Sequence, residues 1–392
     1  MNQRTNSLTS IPVFMAFLCM GFGDVVGPLT GLIKQEFELS NFMAQLIPFM
    51  GFLMFGLLSL PIGIAQDKYG KKSILLSGLA LALLGLLIPM TAKFSSFLAL
   101  LAGLLLLGAG ATFLQVSGNP LMRDVSPSGK YSRNLSLAQF IKAIGSLSGA
   151  LIPLAAYNYW NKDWKVMFPA YSIAIFLTII WILFTKVKNQ ETEKVTRATF
   201  SSGFALLRHR YILLMVLGIF LYVGAEVSMS SGLPIYLQDT YGLDITKLGL
   251  LGTLFFFIAL MTGRFTGAIV LNWLSAKTFL KISLIISILG ILLLFIGIKA
   301  LAIAGIFLAG LGFANIFPLI FSITVDAMPE RSNELSGLMV TAIVGGAIVP
   351  PVMGFVADLT SSSVAFIIPL ICILFITTLP FINLNRPLNT TN

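Results

Sequence analysis

The chain has 392 residues, of which 57% are hydrophobic and 10% charged, with a mean hydropathy of +0.94. A soluble domain typically carries ~25% charged residues, so no soluble enzyme or nucleic-acid-binding domain forms the body of this chain, despite a net charge of +10. The composition is that of an all-α membrane protein.

Apolar stretches of roughly 20 residues, enough to cross ~30 Å of hydrocarbon as a helix, begin near residues 11, 42, 73, 96, 134, 166, 211, 246, 278, 300, 335 and 363. Twelve spans are expected. The first is too long for a signal peptide, lacks a small-residue cleavage site, and carries an acid, Asp24. An ionisable side chain in a lipid-spanning helix costs at least ~2.5–3.5 kcal/mol on insertion scales. Asp24 therefore needs a working or a paired environment. Gly21, Asp24, Pro28 and Gly31 share one helix side.

Between the second and third spans lies Gly63-Ile-Ala-Gln-Asp67-Lys68-Tyr-Gly70-Lys71-Lys72. Gly63 allows close helix approach, Asp67 can pair with a cation or a helix N-terminus, and Gly70 makes the turn. Lys71 and Lys72 suit anionic lipid. In the fourth span Thr112, Gln115 and Asn119 follow one helix side, and in the fifth Gln139, Lys142, Ser146 and Gly149 do the same. We read Thr112, Ser146 and the glycines as packing residues, since small and polar side chains dominate helix contacts in lipid. Lys142 lies too deep to reach water easily; its ammonium needs a partner, and Asp24 is the candidate.

The most polar stretch, 186–204, separates the sixth span from the seventh. It divides the chain into an N-terminal bundle (1–185), a linker (186–210) and a C-terminal bundle (211–392). The seventh span carries the second lone acid, Glu226, 202 residues after Asp24, and Asp124 and Asp326 are also 202 apart. GALIP (149–153) is answered by GAIVP (346–350), and NLS (134–136) by ELS (334–336). The chain is a duplicated six-span unit. At the end of the eighth span Gly263-Arg264-Phe-Thr-Gly267 is a degenerate counterpart of the 63–72 loop, and Asn315 opens a polar break in the tenth.

Placing both termini in the cytoplasm puts 18 basic residues on that side, Arg264 among them, against 6 on the other, with Lys142 in a span. The positive-inside rule favours that orientation. Trp160 and Trp164 then fall in the outer interfacial belt. Cys19 and Cys372 lie in spans without paired spacing, and His209 sits in the basic run 208–210, so neither a disulfide framework nor a metal or cofactor site is expected.

Parallel six-span repeats are the architecture of major facilitator transporters, whose substrate site lies at the midplane between the halves. The 63–72 loop resembles that superfamily's loop signature. More specifically, Leu114-Gln115-Val-Ser-Gly118-Asn119-Pro120 resembles the fourth-span signature of the fucose–galactose–glucose:proton symporter family. The resemblance extends through LAQFIKAIGS (137–146), YVGAEVSMSSGLP (222–234), NIFPLIFS (315–322) and 337–358. It implies two pseudo-symmetric six-helix bundles in a bacterial inner membrane, importing a monosaccharide by proton symport, with lipid and protons as partners and a monomer as the working unit.

By that resemblance Asp24 matches the family's proton-coupling aspartate and Gln139 its sugar-binding glutamine. Gln115 stands where fucose permeases carry a second acid, and Lys142 where they present asparagine. Taking the residues' own chemistry together with the resemblance, we expect proton coupling by Asp24, Glu226 and Lys142; substrate contact by Gln115, Asn119, Gln139, Lys142 and Asn315; and gating by Gly63, Asp67, Lys68, Gly70, Lys71, Lys72 and Arg264. Two alternatives stay open, an anionic-sugar transporter using Lys142 and a drug/proton antiporter. A non-transporting sugar receptor lacks an appended signalling domain, and no span shows an enzyme's nucleophile–base pair or metal cluster.

Overall fold

Lipid offers no partner for a backbone N–H or C=O, so each span must close its hydrogen bonds within a helix. The computed structural model describes residues 5–125, 131–185, 206–244, 250–328 and 332–382. Eleven helices among the described residues are long and apolar enough to cross a membrane, and a twelfth, shorter apolar helix completes the series.

In chain order the spans are α1 (Ile11–Glu36), α2 (Leu46–Tyr69, preceded by the turn Asn41–Ala44), α3 (Lys71–Thr91), α4 (Phe97–Val125), α5 (Tyr131–Trp160) and α6 (Met167–Phe184). They continue with α7 (Arg210–Tyr241), α8 (Leu250–Val270), α9 (Ala276–Leu294), α10 (Lys299–Thr324), α11 (Gly337–Leu359) and α12 (Val364–Phe381). The expected linker falls outside the described residues up to 205; His209 is the residue before the first turn of α7.

Sequential helices pair antiparallel, α3 with α4 and α9 with α10, while α1 packs on α5 and α7 on α11 and α12. The first six helices meet the last six along three seams: α1 with α7, α2 with α11, and α5 with α8. Lipid tails are as apolar as leucine, so these seams cannot depend on hydrophobic burial and use close approach and polar bonds instead. Between the halves Ser231 Oγ on α7 donates to Gln45 Oε1 at 2.9 Å, and within the C-terminal half Tyr236 Oη donates to the Leu294 carbonyl at 2.7 Å and Thr253 Oγ1 to the Ser230 carbonyl at 3.0 Å. Bonds of this kind contribute about 0.6 kcal/mol each, up to ~1.7.

Helix α1 is the most enclosed of the spans, and it is not uniform. Phe22–Val25 tightens into a 3-10 turn between two α-helical stretches. Pro28 is the local cause, because it lacks the N–H that would bond the Asp24 carbonyl and its ring crowds that carbonyl. Asp24 therefore sits on a tightened turn, and its carbonyl is met by the Val26 N–H instead of a regular i+4 partner. Beside it the α1–α5 seam is backbone to backbone. A Cβ at Gly21 would collide with the Lys142 carbonyl and lie 2.8 Å from the Ser146 nitrogen, and one at Gly145 would collide with the Leu18 carbonyl. Glycine is required here by space.

The two tryptophans expected in the outer belt differ in environment. Trp160 is exposed, but Trp164 is buried against Phe94 and Phe168. It starts the 3-10 turn that leads into α6, and that turn folds its ring inward.

Candidate functional site

The tightened turn in α1 and the glycine seam with α5 bring Asp24 and Lys142 together. Lys142 Nζ lies 3.4 Å from Asp24 Oδ2, and the same oxygen accepts a hydrogen bond from Ser146 Oγ at 2.7 Å. Lys142 also donates to Gln115 Oε1 on α4 at 3.5 Å. Three helices thus contribute to one polar cluster. The Asp24 and Lys142 side chains are 26% and 21% exposed, so the pair does not lie in dry core. Ser146, read from the sequence as packing, also orients the carboxylate.

The second lone acid has its own cation. Glu226, near the middle of α7, forms an ion pair with Arg264 on α8, Nη2 lying 3.5 Å from Oε1, and Arg264 Nε donates to the Ala314 carbonyl at 3.4 Å. This corrects the sequence-based placement of Arg264 as a loop-signature counterpart on the cytoplasmic margin. It lies six residues inside the end of α8 and turns its guanidinium toward the interior. The GRFTG spelling imitated a loop because helix ends and tight helix seams both favour glycine. Tyr222, one turn before Glu226, is buried and donates through its hydroxyl to the Phe313 carbonyl at 3.0 Å.

Other expected site residues take different positions. Asn315 is buried and donates through Nδ2 to the Gly263 carbonyl at 2.7 Å, while its amide fills the space where a Cβ on Gly267 would sit. That amide is engaged in joining α10 to α8. Lys72 donates to the Leu183 and Thr185 carbonyls at 3.1 and 2.8 Å, closing the C-terminal end of α6. A cation there complements the helix's unsatisfied carbonyls. Its ammonium is thus turned to protein and not to lipid. Gly63 has no atom within 4 Å of where its Cβ would be, so the close approach expected there is absent. Gly70 takes a positive φ of 82° and makes the expected turn before α3. The side chains of Asp67, Lys68, Asn119 and Gln139 lie outside the described residues, although all four positions are helical. Phe317 packs on Tyr222 and Phe321, as core aromatics do. Among the described residues no group of His, Cys, Asp or Glu is arranged to hold a metal ion.

A profile of the Major Facilitator Superfamily matches residues 13–344. The chain belongs to the Major Facilitator Superfamily. Among its relatives a glucose/galactose transporter of Brucella abortus biovar 1 (strain 9-941) is 30% identical, over 96% of this chain and 94% of that one. The L-fucose-proton symporter of Escherichia coli (strain K12) is 26% identical, over 86% of this chain and 84% of its own length. The crystal structure of the E. coli fucose:proton symporter FucP superposes with a TM-score of 0.68 at 22% identity, covering 95% of this chain and 98% of that chain. The fold read from the duplicated six-span pattern is therefore the major facilitator fold, and the likeness to the fucose–galactose–glucose symporters holds along nearly the whole chain. The relatives are named as transporters, in line with the absence of an enzyme's machinery from the spans.

Proposed function

We propose that this protein imports a neutral monosaccharide of the glucose/galactose type together with a proton, by alternating access of two rigid halves (1–185 and 211–392) joined by the linker 186–210. Both termini face the cytoplasm of a bacterial cell whose inner membrane holds the twelve spans. One observation carries the reading: two carboxylate–cation pairs, Asp24–Lys142 and Glu226–Arg264, stand partly exposed where the halves meet. Major facilitator transporters bind their substrates at that place.

The charge arrangement selects the cargo class. Each cation already has a carboxylate within 3.5 Å, so an acidic sugar would meet no uncompensated positive charge and would have to break a pair. A neutral sugar needs only hydroxyl partners, which Gln115, Asn119 and Gln139 supply as amides that both donate and accept. The glucose/galactose name of the Brucella relative agrees with that preference.

Asp24 is the proton-carrying group in this scheme and Lys142 its counter-ion. Protonation removes the carboxylate charge, frees the ammonium to turn toward Gln115 and substrate, and lowers the cost of closing the cavity around them. Proton and sugar then favour the same occluded state, and that linkage is reciprocal. Glu226, held by Arg264 and neighboured by Tyr222, is the corresponding group of the C-terminal half.

Purified protein in liposomes tests the reading directly. Glucose or galactose should accumulate when the inside is made alkaline, and excess neutral hexose should compete while hexuronate should not. Accumulation indifferent to the pH gradient would remove the proton. Stronger competition by hexuronate than by hexose would move the assignment to the anionic class and give Lys142 the carboxylate-binding role.

A further inference from the structure

One carboxylate outside the central cluster bridges the two halves. Asp358, in the last turn of α11, accepts the backbone N–H of Asn41 through Oδ1 at 2.7 Å and that of Phe42 through Oδ2 at 2.8 Å. The partners are more than 300 residues apart in sequence and belong to opposite halves. These N–H groups open the turn Asn41–Ala44 that leads into α2, where no acceptor exists within the helix itself. Ser40 Oγ accepts the next N–H, that of Met43, at 3.2 Å. The start of the second span is thus satisfied jointly by its own half and by a charged group from the other, and charge-assisted bonds are the stronger kind.

Below this contact the halves touch at several points around a small cavity lined by Asn41, Gln45, Gly232, Ile235, Met353 and Gly354. Ser231 Oγ on α7 donates to Gln45 Oε1, one turn after Asn41, at 2.9 Å. Gly354 of α11 lies against the Asn41 carbonyl so closely that a Cβ would stand 2.6 Å from it, and a Cβ on Gly27 of α1 would collide with Ser230 Oγ. Toward the opposite end of the same helices, Gly63 on α2 and Gly337 on α11 have nothing within 4 Å of a Cβ position. The halves are joined at the end that carries the α1–α2 and α11–α12 connections. In the orientation given above that end is the extracellular one.

We propose that Asp358 is the outer-gate latch of the transport cycle: its carboxylate holds α11 on the first turn of α2 while the cavity faces the cytoplasm, and releases those two N–H groups each time the cavity opens outward. The proposal rests on the alternating-access reading. It assigns Asp358 no contact with substrate or proton, so the residue sets the balance between the two states and leaves binding within each state intact.

The test uses a reporter cysteine behind the latch, Val227→Cys, at a buried position on α7 one turn inward from Ser231; the two native cysteines are buried. A membrane-impermeant maleimide is applied from outside to full-length protein in oriented vesicles. Asp358→Asn should speed labelling by about tenfold, the size of shift expected for losing charge-assisted bonds, and Asp358→Glu should recover part of the slow rate. Asn41→Pro removes one of the two donors at the first helical position, where proline is tolerated and the preceding Ser40 is already extended, and should act in the same direction without touching the carboxylate. This second variant keeps the test decisive if Asp358→Asn folds poorly. Labelling that responds to sugar in the Val227→Cys parent but is unchanged by both Asp358→Asn and Asn41→Pro would overturn the latch alone. A parent whose labelling ignores added sugar would overturn alternating access, and the latch with it.

Discussion

Replacing Asp24 by Asn keeps the shape of the side chain and removes its charge, which isolates the worth of the pair with Lys142. At 3.4 Å and an effective dielectric of ~20, the gross Coulomb attraction is about 5 kcal/mol. Desolvation cancels much of it. Breaking a fully buried pair costs about 3–5 kcal/mol, and an exposed one about 0–1. With side chains 21% and 26% exposed, the intermediate figure of about 2 kcal/mol is appropriate. The substitution leaves the ammonium with Gln115 Oε1 at 3.5 Å as its remaining acceptor. Asp24→Asn should therefore lower the thermal midpoint of the purified protein by about 2–4 °C. It should also abolish gradient-driven accumulation while sparing sugar counterflow. Lys142→Gln should destabilise by a similar amount, and the double variant should regain most of the loss, since neither charge is then left alone. The assay is a double-mutant cycle read by thermal unfolding, with liposome uptake on the same four proteins. Additive losses would refute the claim that the two residues act as a unit, and undiminished uphill uptake by Asp24→Asn would refute its coupling role.

The second pair is tested in the same way: Arg264→Gln should impair transport and stability more than Arg264→Lys, and Glu226→Gln introduced together with it should restore part of the stability. An Arg264→Gln protein indistinguishable from the parent in both measurements would mean the 3.5 Å contact carries no weight. For the α1–α5 seam, Gly21→Ala forces a methyl group against the Lys142 carbonyl, which is backbone and cannot give way; a large drop in thermal midpoint and loss of uptake are expected. Gly63→Ala meets nothing within 4 Å and should gain about 0.5–1 kcal/mol from helix propensity. Equal losses in the two alanine variants would contradict the packing described.

Asp24 and Glu226 were legible as functional candidates because an ion in an apolar run is expensive wherever the run ends up packing. Lys142 was legible for the same reason, and Asp24 could be named as its partner because so few charges lie in spans. Arg264 was misplaced since its glycine-flanked segment reads equally well as a loop and as a tight helix seam; only the crossing of α7 and α8 distinguishes them. Lys72 gave no sign of capping α6, because the Leu183 and Thr185 carbonyls are anonymous backbone atoms. Asn315 resembled a sugar ligand by residue type, yet its amide is turned to the Gly263 carbonyl. Asp358 attracted no attention, since an acid at the end of a span is ordinary until its oxygens are seen on the amides of another helix.

The twelve spans, the duplication and the superfamily were determined by the sequence alone, because they rest on hydrophobic length and internal repetition, properties of consecutive residues that survive any packing. What only the tertiary structure decided is pairing: Glu226 with Arg264, Asn315 with the Gly263 carbonyl, and Asp358 with the start of α2. Those choices depend on how helices hundreds of residues apart approach within a few ångströms, and the chain order contains no local record of that distance.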